Sequence, residues 1–140
     1  MKLEDLNNYG VELTEKQKAN QKILFERLAK VEAKYGKKLK VSSGVRAFKK
    51  HCKIYVDKGV ITQDEADDYI KIHESGKEIP NCKIPQHSKH LDGCAVDIED
   101  HDEELSKWNH DNEDFLKEVG LWMEATESTH GWEHYQTLLS

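Results

Sequence analysis

The sequence predicts an α+β fold in which helices pack on a small antiparallel sheet. Apolar residues recur at three- and four-residue steps over residues 14–36, which is the spacing of an amphipathic helix. Residues 94–98 follow a glycine and read as a strand with two alternating faces. Near the end of the chain, residues 121–124 and 132–138 predict two paired strands. A length of 140 residues is enough for one domain, residues 1–140.

The first elements follow from capping signals. Thr14 and Gln17 form a capping-box pattern that opens the first helix, and Gly36 ends that helix. Residues 39–43 predict a short strand, and residues 46–57 predict a second helix. The chain therefore begins with a helix, a strand and a helix.

The middle of the chain alternates short helices with loops. Thr62 opens a short helix carrying apolar residues up to position 70, and residues 74–88 predict a loop because they contain glycine and proline. After Asp100 the helical pattern resumes, with residues 109–112 as its potential break and Gly120 as its end. The terminal hairpin then needs residues 125–131 as its connection. We predict that Trp122 and Trp132 of the hairpin and Trp108 of the preceding helix lie in the core rather than form a platform for the substrate.

Charge and composition exclude several classes of partner. The net charge of −6 argues against nucleic acid, a metal-dependent nuclease activity and an anionic membrane surface. A run of basic residues is expected to be a solvated face: Lys37, Lys38, Lys40, Arg46, Lys49, Lys50 and Lys53. Neither a signal peptide nor a stretch of transmembrane length is visible, so we expect the protein to be cytoplasmic at synthesis. The cysteines, Cys52, Cys82 and Cys94, are expected to be reduced.

Two short segments carry candidate metal ligands. Ser88–Asp97 contains His90 and Asp97, and Trp132–Gln136 contains His134. Imidazole nitrogen and carboxylate oxygen are both zinc ligands, and three protein ligands leave a fourth position for water, as in catalytic sites. Spacing alone leaves two interpretations open: a zinc site, or unrelated polar residues of a hairpin.

These motifs resemble a known family. The segments Ser88-x-His90-x-x-Gly93-x-Ala95-Val96-Asp97 and Trp132-x-His134-x-Gln136 are similar to those of the M15 group of zinc peptidases, and residues 35–46 resemble that group's strand ending in Ser-Gly-x-Arg. The group includes D-alanyl-D-alanine carboxypeptidases, the L-alanyl-D-glutamate endopeptidases of phage endolysins, and the related hedgehog fold.

The resemblance implies specific roles. It implies a hedgehog/DD-peptidase-like fold, a single zinc peptidase domain over residues 1–140, and one Zn²⁺ per chain held by His90, Asp97 and His134. It also assigns substrate binding or transition-state stabilisation to Arg46, and it places Ser88 along the same site. His87 is a further candidate for lining the cleft, whereas four other histidines are predicted to be exposed: His51, His73, His101 and His110.

The general base is the point at which this chain departs from the family pattern. In many M15 members an acid lies three residues before the last histidine ligand, and here that position is Gly131. Glu133 is rejected because neighbouring strand residues point to opposite faces. If Trp122 pairs with His134, the alternation places Glu124 on the face of His134. The remaining candidates in order are Glu124, Glu127 in the loop, and His130, because a related branch uses a histidine there.

The expected activity follows from the resemblance. We expect a zinc metallopeptidase that hydrolyses a bond involving D-amino acids in peptidoglycan stem peptides, as a D-Ala-D-Ala carboxypeptidase or an endolysin-like endopeptidase. The alternative is a zinc-containing, non-catalytic recognition module of hedgehog-like fold. A monomer encoded by a bacteriophage is the expected setting, released from the host cytoplasm to the cell wall or carried in the virion. A bacterial enzyme acting on recycled muropeptides competes with it.

Overall fold

The computed structural model describes the backbone of residues 1–123 and 132–137, and the side chains of residues 1–121 and of Tyr135. Within these residues the helices and strands follow one another in this order: α1 (Glu15–Tyr35), β1 (Val41–Ser43), α2 (Phe48–Asp57), α3 (Gln63–Glu74), β2 (Ala95–Glu99), α4 (Glu104–Asp111), α5 (Glu113–Val119), β3 (Leu121–Met123) and β4 (Trp132–Thr137). Short 3₁₀ helices precede α1 at Leu3–Asn7 and α4 at His101–Glu103. The predicted α+β class is confirmed.

The capping signals mark the helix starts. The Thr14 hydroxyl accepts a hydrogen bond from the Gln17 backbone N–H at 3.1 Å, and the Gln17 side chain accepts one from the Thr14 N–H at 2.9 Å. Thr62 and Glu65 make the same reciprocal pair at the start of α3, at 3.1 Å each. Gly36 ends α1 in the left-handed conformation, with φ 82°. Local sequence therefore fixes where these helices begin and end.

Other boundaries differ slightly from the prediction. β1 begins at Val41 rather than at residue 39, and α2 begins at Phe48 rather than at Arg46. The helical stretch after Asp100 is divided at Asn112, inside the predicted break. In residues 1–123 and 132–137, every helix falls short of the length and apolarity that a membrane crossing requires.

The strands form one sheet in the order β1-β2-β4-β3, and each neighbouring pair is antiparallel. The predicted pairing of the last two strands is confirmed, but the register assumed for it is wrong. Trp122 lies opposite Gln136 rather than His134, a displacement of two residues. A hairpin's register depends on how its connection folds, which spacing alone does not fix. A two-residue slip keeps each strand position on the same face, because the side-chain period is two.

The main core lies between α1 and one face of the sheet. Leu28 and Val31 of α1 are fully buried, and so are Val96 and Ile98 of β2. Asp97 lies between these two apolar residues in the strand and is only partly buried. The alternation of the strand therefore turns Asp97 away from the core, on the face where a site can form.

A second, smaller apolar cluster joins α2 to α3. It comprises Phe48, Cys52, Ile61, Ala66, Tyr69, Ile79 and Ile84. The cluster packs α2 against α3 and against the loop that follows α3, and Arg46 lies two residues before the start of α2. All three cysteines are free thiols, as predicted.

Candidate metal and substrate site

A tight loop presents the first candidate ligand. The Leu91 backbone N–H donates to the Ser88 carbonyl oxygen at 3.0 Å, and the Cys94 N–H donates to the Lys89 carbonyl at 3.0 Å. Gly93 completes the turn with φ 78°, a conformation that residues with a side chain rarely adopt. The loop thus leads directly into β2 with His90 at its centre.

The start of α1 holds this loop in place. The Gln17 amide donates to the Leu91 carbonyl at 2.8 Å, and the Asn20 amide donates to the Asp92 carbonyl at 2.9 Å. A Cβ at Gly93 would lie 3.1 Å from the Gln17 carbonyl oxygen, so the glycine also permits this close approach. Asn20 is buried although it is polar, because it satisfies the loop's backbone.

The backbone before Arg46 orients the ring of His90. His90 is 5% exposed, and its Nδ1 lies 3.0 Å from the Gly44 carbonyl oxygen. A carbonyl only accepts, so Nδ1 carries the hydrogen and donates it. In the neutral ring Nε2 then holds the lone pair, which is the arrangement typical of a metal-ligating histidine. A Cβ at Gly44 would lie 2.0 Å from the Leu6 carbonyl oxygen, so only glycine fits here.

The lone-pair nitrogen of His90 faces the second candidate ligand. His90 Nε2 lies 3.5 Å from Asp97 Oδ2. Two ligands on a tetrahedral zinc, each at roughly 2.0–2.2 Å from the ion, are separated by about 3.4 Å. The spacing of these two donor atoms therefore fits two adjacent corners of a zinc tetrahedron, and the donor set of imidazole nitrogen and carboxylate oxygen suits that ion.

The register of the sheet places position 134, where the third ligand is predicted, next to Asp97. In the pairing of β2 with β4, Asp97 and His134 are direct partners. Directly opposite residues of an antiparallel pair share a face of the sheet. The side chain of His134 lies outside the described residues. Among the side chains that are described, no three His, Cys, Asp or Glu residues come together as a complete metal site.

Arg46 lies beside the two candidate ligands. Its NH2 atom is 3.9 Å from Asp97 Oδ2, and its side chain is 11% exposed. Its Nε and NH2 atoms donate to the Ser43 hydroxyl at 3.3 and 3.1 Å, and its backbone N–H donates to the His90 carbonyl at 3.1 Å. Arg46 therefore does not belong to a solvated basic face, which corrects the grouping with its neighbouring lysines. Its guanidinium is directed at the site instead.

His51 was missed by the sequence analysis. The prediction that it is exposed is wrong, since His51 is fully buried in α2, whereas His73, His101 and His110 are exposed as predicted. Its Nδ1 lies 3.2 Å from Arg46 NH1, and its Nε2 lies 2.5 Å from the Pro85 carbonyl oxygen. Burial lowers the pKa of His51 to about 4, with Arg46 acting in the same direction. The sequence near His51 does not indicate this contact, because Pro85 is 34 residues away and meets His51 only in the folded protein.

A small cleft adjoins Arg46. It has a volume of about 240 Å³, and its lining includes Arg46, Ser88, His87 and Gln86. The Ser88 hydroxyl accepts a hydrogen bond from the His90 backbone N–H at 3.3 Å, so Ser88 also supports the loop. Both Ser88 and His87, predicted to line the site, border this cleft.

The candidates for the general base, Glu124, Glu127 and His130, lie outside the described residues. Position 123, immediately before Glu124, is the last described residue of β3 and pairs with Tyr135. The identity of the base stays a prediction.

Comparison of the chain with protein-family models, with curated proteins and with solved structures gave no match in any of the three.

Proposed function

We propose that this protein is a zinc metallopeptidase that hydrolyses a bond involving D-amino acids in peptidoglycan stem peptides. One observation carries the proposal: His90 and Asp97, the two ligands of the motif whose side chains are described, face each other at 3.5 Å. Their sequence context resembles the M15 motif. The register partner of Asp97 is the position of the third predicted ligand.

Three residues of the chain would hold one zinc ion: His90 through Nε2, Asp97 through a carboxylate oxygen, and His134. The Gly44 carbonyl supports this use of His90, because it engages the other ring nitrogen. When bound, zinc supplies Lewis acidity toward the scissile carbonyl and lowers the pKa of a water molecule. Substrate binding, charge stabilisation and proton transfer would be carried out by side chains of the protein.

Arg46 would stabilise negative charge on the substrate. Its guanidinium is held by Ser43 and His51, and it lies within 4 Å of a candidate ligand carboxylate, at 3.9 Å from Asp97. A fixed cationic donor in a partly buried site stabilises a developing oxyanion or a substrate carboxylate without reorganisation. The adjoining cleft at Ser88 is where the rest of the peptide would extend.

A general base, either a carboxylate or an imidazole, would accept the proton of the attacking water and return it to the leaving amine. Glu124 is the first candidate for this role, Glu127 the second and His130 the third. Gly131 stands where many M15 members have their acid, so the base must come from another position.

The proposed setting is a monomeric phage enzyme released from the host cytoplasm to the cell wall, or a virion-associated one. The test is incubation of the zinc-loaded protein with purified sacculi, followed by mass spectrometry of the released fragments. We expect new amino or carboxyl termini at one stem-peptide bond, and none with the His90→Ala variant. Stoichiometric zinc without any cleavage of sacculi or of isolated stem peptides would contradict the proposal and support the recognition module.

A further inference from the structure

We propose that His51 is a positioning residue that holds the guanidinium of Arg46 in the orientation required at the site. The inference rests on the proposed role of Arg46, but its physical basis is the contact between the two side chains. Arg46 NH1 and His51 Nδ1 are 3.2 Å apart, and both groups are shielded from solvent.

The partners of His51 fix its tautomer. The guanidinium of Arg46 has only donors, so His51 Nδ1 must accept. The Pro85 carbonyl has only an acceptor, so His51 Nε2 must carry the hydrogen and donate it across 2.5 Å. A protonated ring would place a second N–H against the guanidinium, and burial further disfavours that charge. The ring is therefore neutral, with one defined hydrogen position.

Packing keeps the His51 ring from rotating. Its centroid lies 5.1 Å from that of Tyr55 in an edge-on contact and 6.0 Å from that of Phe48. Phe48 belongs to the apolar cluster between α2 and α3. The ring is thus anchored by the helix, by its aromatic neighbours and by the Pro85 loop.

Two acceptors on different sides hold the guanidinium. Ser43 accepts from Nε and NH2, while His51 accepts from NH1. The Ser43 hydroxyl is itself 3.1 Å from the Tyr9 hydroxyl. With both acceptors present the plane of the guanidinium is set, and the NH2 atom stays near Asp97. Without the His51 acceptor, the guanidinium keeps its two hydrogen bonds to Ser43. Both are made to the same hydroxyl oxygen, so the guanidinium can rotate about that atom.

The test uses His51→Leu, which removes the acceptor, and His51→Asn, whose side-chain oxygen can replace Nδ1. His110→Gln, at an exposed histidine on α4, is the matched control. The first measurement needs no substrate: side-chain NMR of the full chain, loaded with zinc. We expect the neutral Nε2–H tautomer at His51 in the wild type. Solvent exchange of the NH1 protons of Arg46, which donate to His51, should be at least about tenfold faster in His51→Leu, near normal in His51→Asn, and unchanged in His110→Gln.

The second measurement is turnover in a double-mutant cycle with Arg46→Ala. If His51 acts through Arg46, His51→Leu should lower kcat about tenfold in the wild-type background and have no further effect when Arg46 is absent. Equal losses in both backgrounds, or unchanged Arg46 exchange in His51→Leu, would overturn the proposal. If no peptide is cleaved by the wild type, the peptidase proposal fails, and the exchange measurement alone decides the role of His51.

Discussion

His90 Nε2 and Asp97 Oδ2 are 3.5 Å apart, while the Gly44 carbonyl oxygen engages the opposite nitrogen of the same ring at 3.0 Å. Two ligands of one tetrahedral zinc, each about 2.1 Å from the ion, would be about 3.4 Å apart, so this spacing fits the proposed metal site.

Removing one ligand should abolish zinc binding. We expect His90→Ala to lose the single zinc equivalent of the wild type, because two remaining ligands do not hold the ion stoichiometrically. His134→Ala should behave in the same way. His87→Ala is the matched control, since His87 is exposed and its Nε2 contacts Glu78 at 2.6 Å. Elemental analysis after gel filtration measures the metal, and a full zinc equivalent in both ligand variants would rule out this assignment.

Arg46 should matter for turnover and not for zinc. Arg46→Ala is expected to lose about 10²–10³ in kcat at normal zinc content, the scale of one oxyanion donor. Lys at this position should rescue poorly, because an ammonium cannot donate to Ser43, His51 and substrate in the planar geometry of a guanidinium. Lys49→Ala, at an exposed lysine close in sequence, should retain activity. Unchanged kcat in Arg46→Ala would give this residue a purely structural role.

The general base can be identified by charge-neutral replacements. Glu124→Gln keeps size and hydrogen bonding but removes the proton acceptor, so turnover should fall about 10²–10⁴-fold with zinc retained. Glu127→Gln should be mild. A large loss of turnover only in Glu127→Gln would identify Glu127 as the general base. If neither substitution lowers turnover, His130 becomes the candidate. Steady-state kinetics on a cleaved stem peptide makes the comparison.

Stability should depend on the protonation of His51. Burial, assisted by the charges of Arg46, His90 and Lys58 and opposed by the Pro85 hydrogen bond, lowers its pKa from 6.5 to about 4. The unfolded chain therefore binds the proton more readily than the folded one, so the contribution is present above about pH 6.5 and is lost as the pH falls toward 4. From about pH 7 to about pH 5, this group should cost about 2 kcal/mol of the free energy of unfolding.

Urea unfolding of wild type and His51→Asn at both pH values measures this cost. The wild type should lose about 2 kcal/mol more than the variant over that interval, while His110→Asn should match the wild type. Equal pH dependence in wild type and His51→Asn would show that His51 titrates normally in the folded protein.

The turn at Gly93 should be sensitive to any side chain. Gly93→Ala combines a left-handed backbone, at φ 78°, with a contact of 3.1 Å to the Gln17 carbonyl. Gly59 has a similar φ of 74° but open space around it, so Gly59→Ala isolates the backbone strain, roughly 1–2 kcal/mol. We expect Gly93→Ala to be more destabilising than Gly59→Ala and to weaken zinc binding as well. Thermal unfolding and zinc titration test both effects, and equal behaviour of the two variants would show that contact with α1 is unimportant for the loop.

The sequence by itself determined the features that depend on neighbouring residues. Thr14 with Gln17, and Thr62 with Glu65, mark helix starts because the caps are made within one turn. The alternation of Val96, Asp97 and Ile98 gave the two faces of β2 for the same reason, since strand periodicity is local. His90, Asp97 and Arg46 were selected because their motifs resemble those of the M15 group, and they lie together in the structure.

Only the tertiary structure decided what depends on contacts between distant segments. Trp122 lies opposite Gln136, and the alternation of residues alone does not predict this register, because a slip of two residues leaves every side chain on the same face. His51 looks like a surface residue of a polar helix, yet the Pro85 carbonyl, 34 positions along the chain, covers it and Arg46 supplies its second partner. Burial and hydrogen bonding of a polar side chain are properties of the packed neighbourhood, which forms only when these segments meet.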